Sequence, residues 1–255
     1  MADKQKRVQK MFASIAPSYD LNNRLWSFGT DQRWRKKAVR LSKLRAGDHV
    51  VDVACGTGDL TLAYANALSK IGDVDQGQRV LGIDYTHEML PPALVKWKKH
   101  PLQREHPELA ASSEVGRYVG FSQGDAQNLP LPGACCDVVS IAFGIRNVAD
   151  SSKAYREFRR VLRPGGRVMV LEFSKPTFAP IRWGYDLYFN HVLTRMASLV
   201  ARDKTGAYRY LASSVEMFKP REQMVAELEA AGFEKVEQHP LTFGVAVIYV
   251  GYVPE

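Results

Sequence analysis

Short β-branched and apolar runs alternate along this chain with stretches of helical periodicity. The runs fall at His49–Ala54, Arg79–Ile83, Arg117–Phe121, Asp137–Ile141, Arg167–Glu172, Lys235–Pro240 and Ala246–Tyr252, and each predicts a strand. Between them, Leu60–Ser69, His87–Lys99, Ser152–Leu162 and Glu222–Ala231 predict helices. Tyr155, Phe158 and Leu162 share one face of the third, and Gly232 closes the fourth. Strand–helix alternation implies an α/β fold, because right-handed crossovers between parallel strands place helices on both faces of the sheet. The last two strands are linked only by Leu241–Val245, too short for a crossover helix. They are expected to form an antiparallel hairpin at the sheet edge, completing a seven-stranded, mostly parallel sheet. A single domain over residues 1–255 accommodates the pattern.

Two stretches break the rhythm without offering chemistry: Ile71–Gln78 and His100–Ser113 are polar and punctuated by Gly or Pro, which predicts loops. A third break differs. Within residues 177–215, the segment Arg182–Arg202 places Trp183, Tyr185, Tyr188, Phe189, Leu193, Met196 and Leu199 near helical spacing, which predicts an amphipathic cap or substrate-binding insertion.

Composition narrows the function classes. With 255 residues, 45% hydrophobic and 24% charged, the chain can bury one large core, and disorder, collagen and coiled coil are excluded. Its longest apolar runs, such as residues 245–250, are far too short to cross a bilayer. The charged start Met-Ala-Asp-Lys-Gln-Lys-Arg lacks the apolar core of a secretory signal, and three cysteines, Cys55, Cys135 and Cys136, supply neither a disulfide framework nor zinc spacing. A cytoplasmic location is expected. The net charge of +8 is concentrated in residues 1–45, with twelve Lys/Arg against three Asp/Glu, while the remainder holds 23 against 24. That region predicts a basic helical lid. Around Asp31-Gln32-Arg33-Trp34-Arg35-Lys36-Lys37 it reads equally as an arm for phosphate groups or as a solvated face.

The most informative segment is Val50-Val51-Asp52-Val53-Ala54-Cys55-Gly56-Thr57-Gly58-Asp59, a strand that breaks into glycines and then a helix. Such a turn lets a ligand approach the backbone closely. A dinucleotide loop would carry a third glycine where Thr61 stands. Asp52 opposes a polyphosphate and suits a cationic ligand. Asp84 ends the second strand, where a carboxylate accepts both hydroxyls of a ribose, and Asp125-Ala126 after the third strand is placed to read an adenine edge. Together these residues describe a nucleoside bearing a positive group.

That combination resembles the Rossmann-like class I S-adenosylmethionine-dependent methyltransferases. The likeness extends through Phe12–Asp20, Ser27-Phe28-Gly29, Phe143–Val148, Leu171–Pro176 and Tyr208–Ser214, which are similar to the ubiquinone/menaquinone biosynthesis C-methyltransferases. This resemblance implies cofactor contacts at Thr57, Asp84, Asp125 and Ala126, beside Asp52, Gly56 and Gly58. It also marks one departure, since Ala142 stands where relatives can carry serine. The implied acceptor is a ring carbon of a polyprenylated quinol, demethylmenaquinol above all, in menaquinone or ubiquinone biosynthesis. Arg146 is then expected to stabilise a phenolate and Asn147 to orient a hydroxyl or water, with Asp20 as general base in preference to His191. Tyr19, Tyr208 and Arg209, with Tyr210 beside them, are expected to line the quinol slot.

An insoluble polyprenyl tail implies peripheral contact with the inner face of an anionic membrane, through the basic N-terminal region and the aromatic stretch. The same stretch leaves a homodimer open. Nucleic acid is not an expected partner: no Asn/Asp-Pro-Pro-aromatic motif follows the fourth strand, and neither Cys135 nor Cys136 follows a proline as a cytosine-attacking thiol often does. Another small aromatic acceptor, or a non-catalytic scaffold in a quinone-synthesis complex, remains the alternative.

Overall fold

The computed structural model describes residues 2–27, 29–72, 79–106, 118–176, 178, 180, 182–184, 210, 213–215 and 218–255. Helices α1 (Ala2–Ile15), α2 (Tyr19–Ser27) and α3 (Thr30–Leu41) precede the sheet. Strands β1 (His49–Val53), β2 (Arg79–Asp84), β3 (Val119–Gln123), β4 (Cys136–Ala142), β5 (Leu162–Phe173), β6 (Glu234–Leu241) and β7 (Ala246–Tyr252) follow. Between them lie α4 (Asp59–Leu68), α5 (Leu90–Lys98), α6 (Pro101–Glu105), α7 (Ser151–Val161) and α8 (Arg221–Ala230).

The sheet order is β3-β2-β1-β4-β5-β7-β6. Strands β1 to β5 pair in parallel, and β7 runs antiparallel to both β5 and β6. The hairpin therefore closes the edge as expected, but β7 lies inside it. The reason is written in the two strands: residues 246–251 are all buried, whereas β6 exposes Glu234, Lys235, Glu237 and Gln238. A strand covered on both faces needs a continuous apolar run, and a charged strand blunts an edge.

Period-two alternation divides the core into two layers. Val50, Val80, Val138 and Met169 pack with Trp34, Leu60, Tyr64 and Trp97 on the α3–α5 side. Val51, Val53, Ile83, Val139, Ile141 and Val170 pack with Tyr155, Phe158, Met224 and Leu228 on the α7–α8 side.

Local departures have local causes. The expected helix over 87–99 begins with a 3-10 turn at His87–Met89, and α5 starts afresh with prolines in its first turn, positions that need no N–H partner. Within the expected loop 100–113, Pro101–Glu105 forms a helix, capped by His100 Nδ1 accepting the Leu102 N–H at 3.3 Å and anchored by buried Leu102. Because β2 and β4 flank β1 while the chain leaves in opposite directions, the carboxyl ends of these strands form a crevice. In such sheets that is where ligands bind.

Candidate active site

The floor of that crevice is built by the backbone. After β1 the chain turns through Ala54 (φ 52), Gly56 (φ 55) and Gly58 (φ 83), all left-handed. Gly58 opens α4, and a Cβ there would sit 3.1 Å from Ala93 and Phe121, so the helix can start this close only on glycine. The Gly56 N–H donates to Asp84 Oδ2 and the Thr86 N–H to Asp84 Oδ1, each at 2.8 Å. Asp84 is thereby held rigidly at the cavity wall. Burial raises its pKa, and the two N–H donors work against that rise. Phe143, directly after β4, is also left-handed at φ 57. Ala54 and Phe143 both line the cavity, so two left-handed non-glycine residues sit at its floor.

A roof covers this floor. Val8, Gln9 and Phe12 of α1 and Tyr19 of α2 line the cavity from above. Gln9 Nε2 donates to the Tyr85 carbonyl at 3.2 Å, and Phe12 meets Tyr19 edge-on with centroids 6.2 Å apart. The lid expected from residues 1–45 was read from charge, yet its inner face is largely apolar. No Lys, Arg or His lines the cavity among the described residues, whereas Asp84 and Asp125 do. Such a lining favours a neutral or cationic ligand over a polyphosphate. Two carboxylates, a close backbone approach at Gly56, and an apolar wall containing Ala126 and Met89 fit S-adenosylmethionine.

Of the residues singled out by sequence, Gly56, Asp84, Asp125, Ala126, Asn147 and Tyr19 line this cavity, as does Ala142. Others do not. Asp52 is a correction: it faces the α4 side, opposite its register partner Ser140, and its carboxylate accepts from Ser140 Oγ and Thr61 Oγ1, each at 2.7 Å. It is 1% exposed, so it meets no ligand tail. Burial pushes its pKa up to about 6 despite the two hydroxyl donors.

Asp20 and Thr57 are turned away as well. Thr57 Oγ1 donates to Asp20 Oδ1 at 2.5 Å, and Asp20 Oδ2 pairs with Lys96 Nζ at 2.6 Å. A carboxylate so engaged acts as a strut, and Asp20, the expected general base, does not line the cavity. Arg146, expected to stabilise a phenolate, also sits behind the cavity wall. Its Nη1 donates to Glu172 Oε1 and to the Phe143 carbonyl, both at 2.6 Å, and its guanidinium lies 5.3 Å from the centre of the Phe173 ring. The pair is buried, with side chains 6% and 1% exposed, and neither residue lines the cavity.

Asn147 does face the cavity, and its Oδ1 accepts from Tyr210 Oη at 3.0 Å. That bond brings Tyr210 to the site. Tyr208, Arg209 and His191 lie outside the described residues, as does most of the segment 177–215. Sequence reasoning missed Val8, Gln9 and Phe12 as lining residues and Lys96 as a hub. The i, i+4 pair Val8 and Phe12, after a charged first turn and a half, was the available signal.

Residues 31–37, expected as a phosphate arm or a solvated face, divide between the buried and exposed sides of α3. Asp31, Trp34 and Arg35 are buried, with Arg35 paired to Asp31 and lying 5.7 Å from the centre of the Phe143 ring. Arg33, Lys36 and Arg40 are exposed on the opposite face of α3.

Comparison with known proteins gives a consistent picture. The model of the ubiE/COQ5 methyltransferase family matches residues 1–253. The ubiquinone/menaquinone biosynthesis C-methyltransferases UbiE of Cronobacter sakazakii and Escherichia coli K12 are 38% and 39% identical over 249 residues, covering 98% of this chain and 91% of each relative. Among solved structures, a SAM-dependent methyltransferase from Aquifex aeolicus superposes with a TM-score of 0.61 at 18% identity, covering 94% of this chain and 98% of that one. One from Thermotoga maritima gives 0.58 at 19%, covering 95% and 98%. At these identities the structures establish the fold.

Proposed function

The chain belongs to the ubiE/COQ5 methyltransferase family, with S-adenosylmethionine as its cofactor, and from that premise we propose that it methylates a ring carbon of a polyprenylated quinol. Demethylmenaquinol is the leading acceptor, with the corresponding ubiquinone precursor as the second. The cavity lining carries the reading: two carboxylates and, among the described residues, no cation, beneath a largely apolar roof.

S-adenosylmethionine, when bound, supplies a methyl group on a cationic sulfur. Asp84 would hold the ribose hydroxyls, since each of its oxygens keeps acceptor capacity beside the single N–H it already takes. Asp125 and Ala126 would flank the base, and the open approach at Gly56 admits the amino-acid end. Asn147 accepts from Tyr210 through Oδ1, which leaves its Nδ2 donors to orient an acceptor oxygen. Val8, Phe12 and Tyr19 keep the slot dry, so that aligned groups meet without competing water. Arg146 supports this wall from behind, through the Phe143 carbonyl.

Among the described residues no helix is long and apolar enough to cross a membrane. The exposed Arg33, Lys36 and Arg40 stripe, with Phe178 and Trp183 at 64% and 72% exposure, supports a salt-sensitive attachment to an anionic bilayer. The deciding experiment offers the purified enzyme methyl-labelled S-adenosylmethionine with reduced demethylated naphthoquinol and benzoquinol on anionic liposomes. Label should enter the ring of one or both quinols, naphthoquinol first, and high salt should release the protein from the vesicles. Labelling of neither ring contradicts the acceptor assignment, and absence of vesicle binding from an active enzyme contradicts the attachment.

A further inference from the structure

Residues 96–99 read Lys-Trp-Lys-Lys, which predicts an ordinary solvated helix face, yet Lys96 turns inward. We propose that Lys96 is a positioning residue for cofactor binding, tying the N-terminal roof to the glycine turn and so holding Tyr19 over Gly56. The proposal rests on the S-adenosylmethionine reading of the cavity.

The ammonium carries three donors and the structure gives it three acceptors. Lys96 Nζ reaches Asp20 Oδ2 at 2.6 Å, Asp59 Oδ1 at 2.5 Å and Thr57 Oγ1 at 3.0 Å. These partners belong to three separate segments: the start of α2, the first residue of α4, and the turn between β1 and α4. Further bonds close the network, since Thr57 Oγ1 donates to Asp20 Oδ1 at 2.5 Å and Gln32 Nε2 donates to Asp59 Oδ2 at 3.0 Å. Burial alone would raise the Asp59 carboxyl, but the Lys96 ammonium overrides it and holds the group below its ordinary value.

Neither Lys96 nor its three partners lines the cavity, yet two of the partners directly follow residues that do. Tyr19 precedes Asp20 and Gly56 precedes Thr57. A Cβ at Gly56 would sit 3.8 Å from the Tyr19 ring, so roof and floor already touch where Lys96 clamps them. Without the clamp, α2 keeps its helix but loses its ionic tie to the floor. The expected consequence is weaker capture of the cofactor, with the fold intact.

The test titrates S-adenosylmethionine into the full-length protein and its Lys96→Met, Lys96→Arg and Asp20→Asn variants, with Tm and limited trypsin cleavage near Lys10 and Arg24 followed in parallel. Lys96→Met should raise Kd about tenfold and speed cleavage of the N-terminal helices, while Tm moves little. Lys96→Arg should recover most of the affinity, and Asp20→Asn should lose about threefold. An unchanged Kd in Lys96→Met, or a loss that Lys96→Arg does not repair, overturns the proposal. If Lys96→Met fails to fold, the Asp20→Asn affinity decides it in the same way. Should the unmodified protein bind no S-adenosylmethionine, the cofactor reading fails. The clamp is then judged by cleavage alone, and equal rates in Lys96→Met and unmodified protein refute it.

Discussion

The floor and the roof of the cavity are built by different physics. On the floor, Asp84 is held by two backbone N–H groups and the glycine turn by left-handed dihedrals. These depend on strand register, which is set by apolar burial on both faces of the sheet. The roof is held by side chains: Gln9 on a carbonyl, Val8 and Phe12 on apolar contacts, Asp20 on Lys96. The contrast suits a site whose floor must keep one geometry while its cover admits and releases ligand. It also separates residues that support the wall from those that touch the ligand, and mutation can break or sharpen that division.

Arg146→Met should have the largest effect, and on stability. It leaves Glu172 buried without its partner, at a cost of about 3–5 kcal/mol, so that Tm falls by on the order of 10 °C. Cofactor affinity in the protein that remains folded should stay within about threefold. Turnover lost at unchanged Tm would instead put the guanidinium in the cavity, and calorimetry with kinetics distinguishes the two.

Asp52 probes the floor from inside the core. Its folded-state pKa of about 6 lies above the ordinary 3.8, so folding favours the protonated form. That contribution is fully present below the ordinary carboxylate range and is lost as pH rises through about 6, on the order of 3 kcal/mol in all. Asp52→Asn should abolish this pH dependence, so that urea midpoints measured from acid to neutral pH decline for the unmodified protein more than for the variant. Matching declines would mean that Asp52 stays charged.

Gln9→Ala is the smallest change and tests the roof. Removing one side-chain hydrogen bond to the Tyr85 carbonyl is worth about 0.5–1 kcal/mol, a two- to fivefold rise in cofactor Kd without a change in Tm. A Tm loss without an affinity change would make α1 a structural element only.

The floor was largely legible in the sequence because its signals are local. Asp84 ends a strand, Gly56 and Asp125-Ala126 follow theirs within three residues, and β-branched runs mark those strands. Side-chain direction was less legible. Asp52 needed Ser140, 88 residues away, to reveal that it faces the core. Even so, period two from Val51 and Val53 already puts it on the opposite face from them. Arg146 found Glu172 26 positions later, a pairing made only when β4 and β5 come together. The roof was read from its charge, but its function at the cavity comes from Val8, Phe12 and Tyr19. Lys96 was hidden in a basic cluster whose ordinary meaning is solvent. The inner place of β7 was recoverable, since Ala246–Tyr252 reads as one apolar run while Glu234–Leu241 does not.

The most direct test of the account is calorimetric titration of S-adenosylmethionine into the unmodified protein and Asp84→Asn. Binding to the first should be saturable, and the second should lose about 30-fold or more in affinity, from one or two charge-assisted hydrogen bonds to the ribose. Equal affinity in the two proteins, with both folded, would contradict the account.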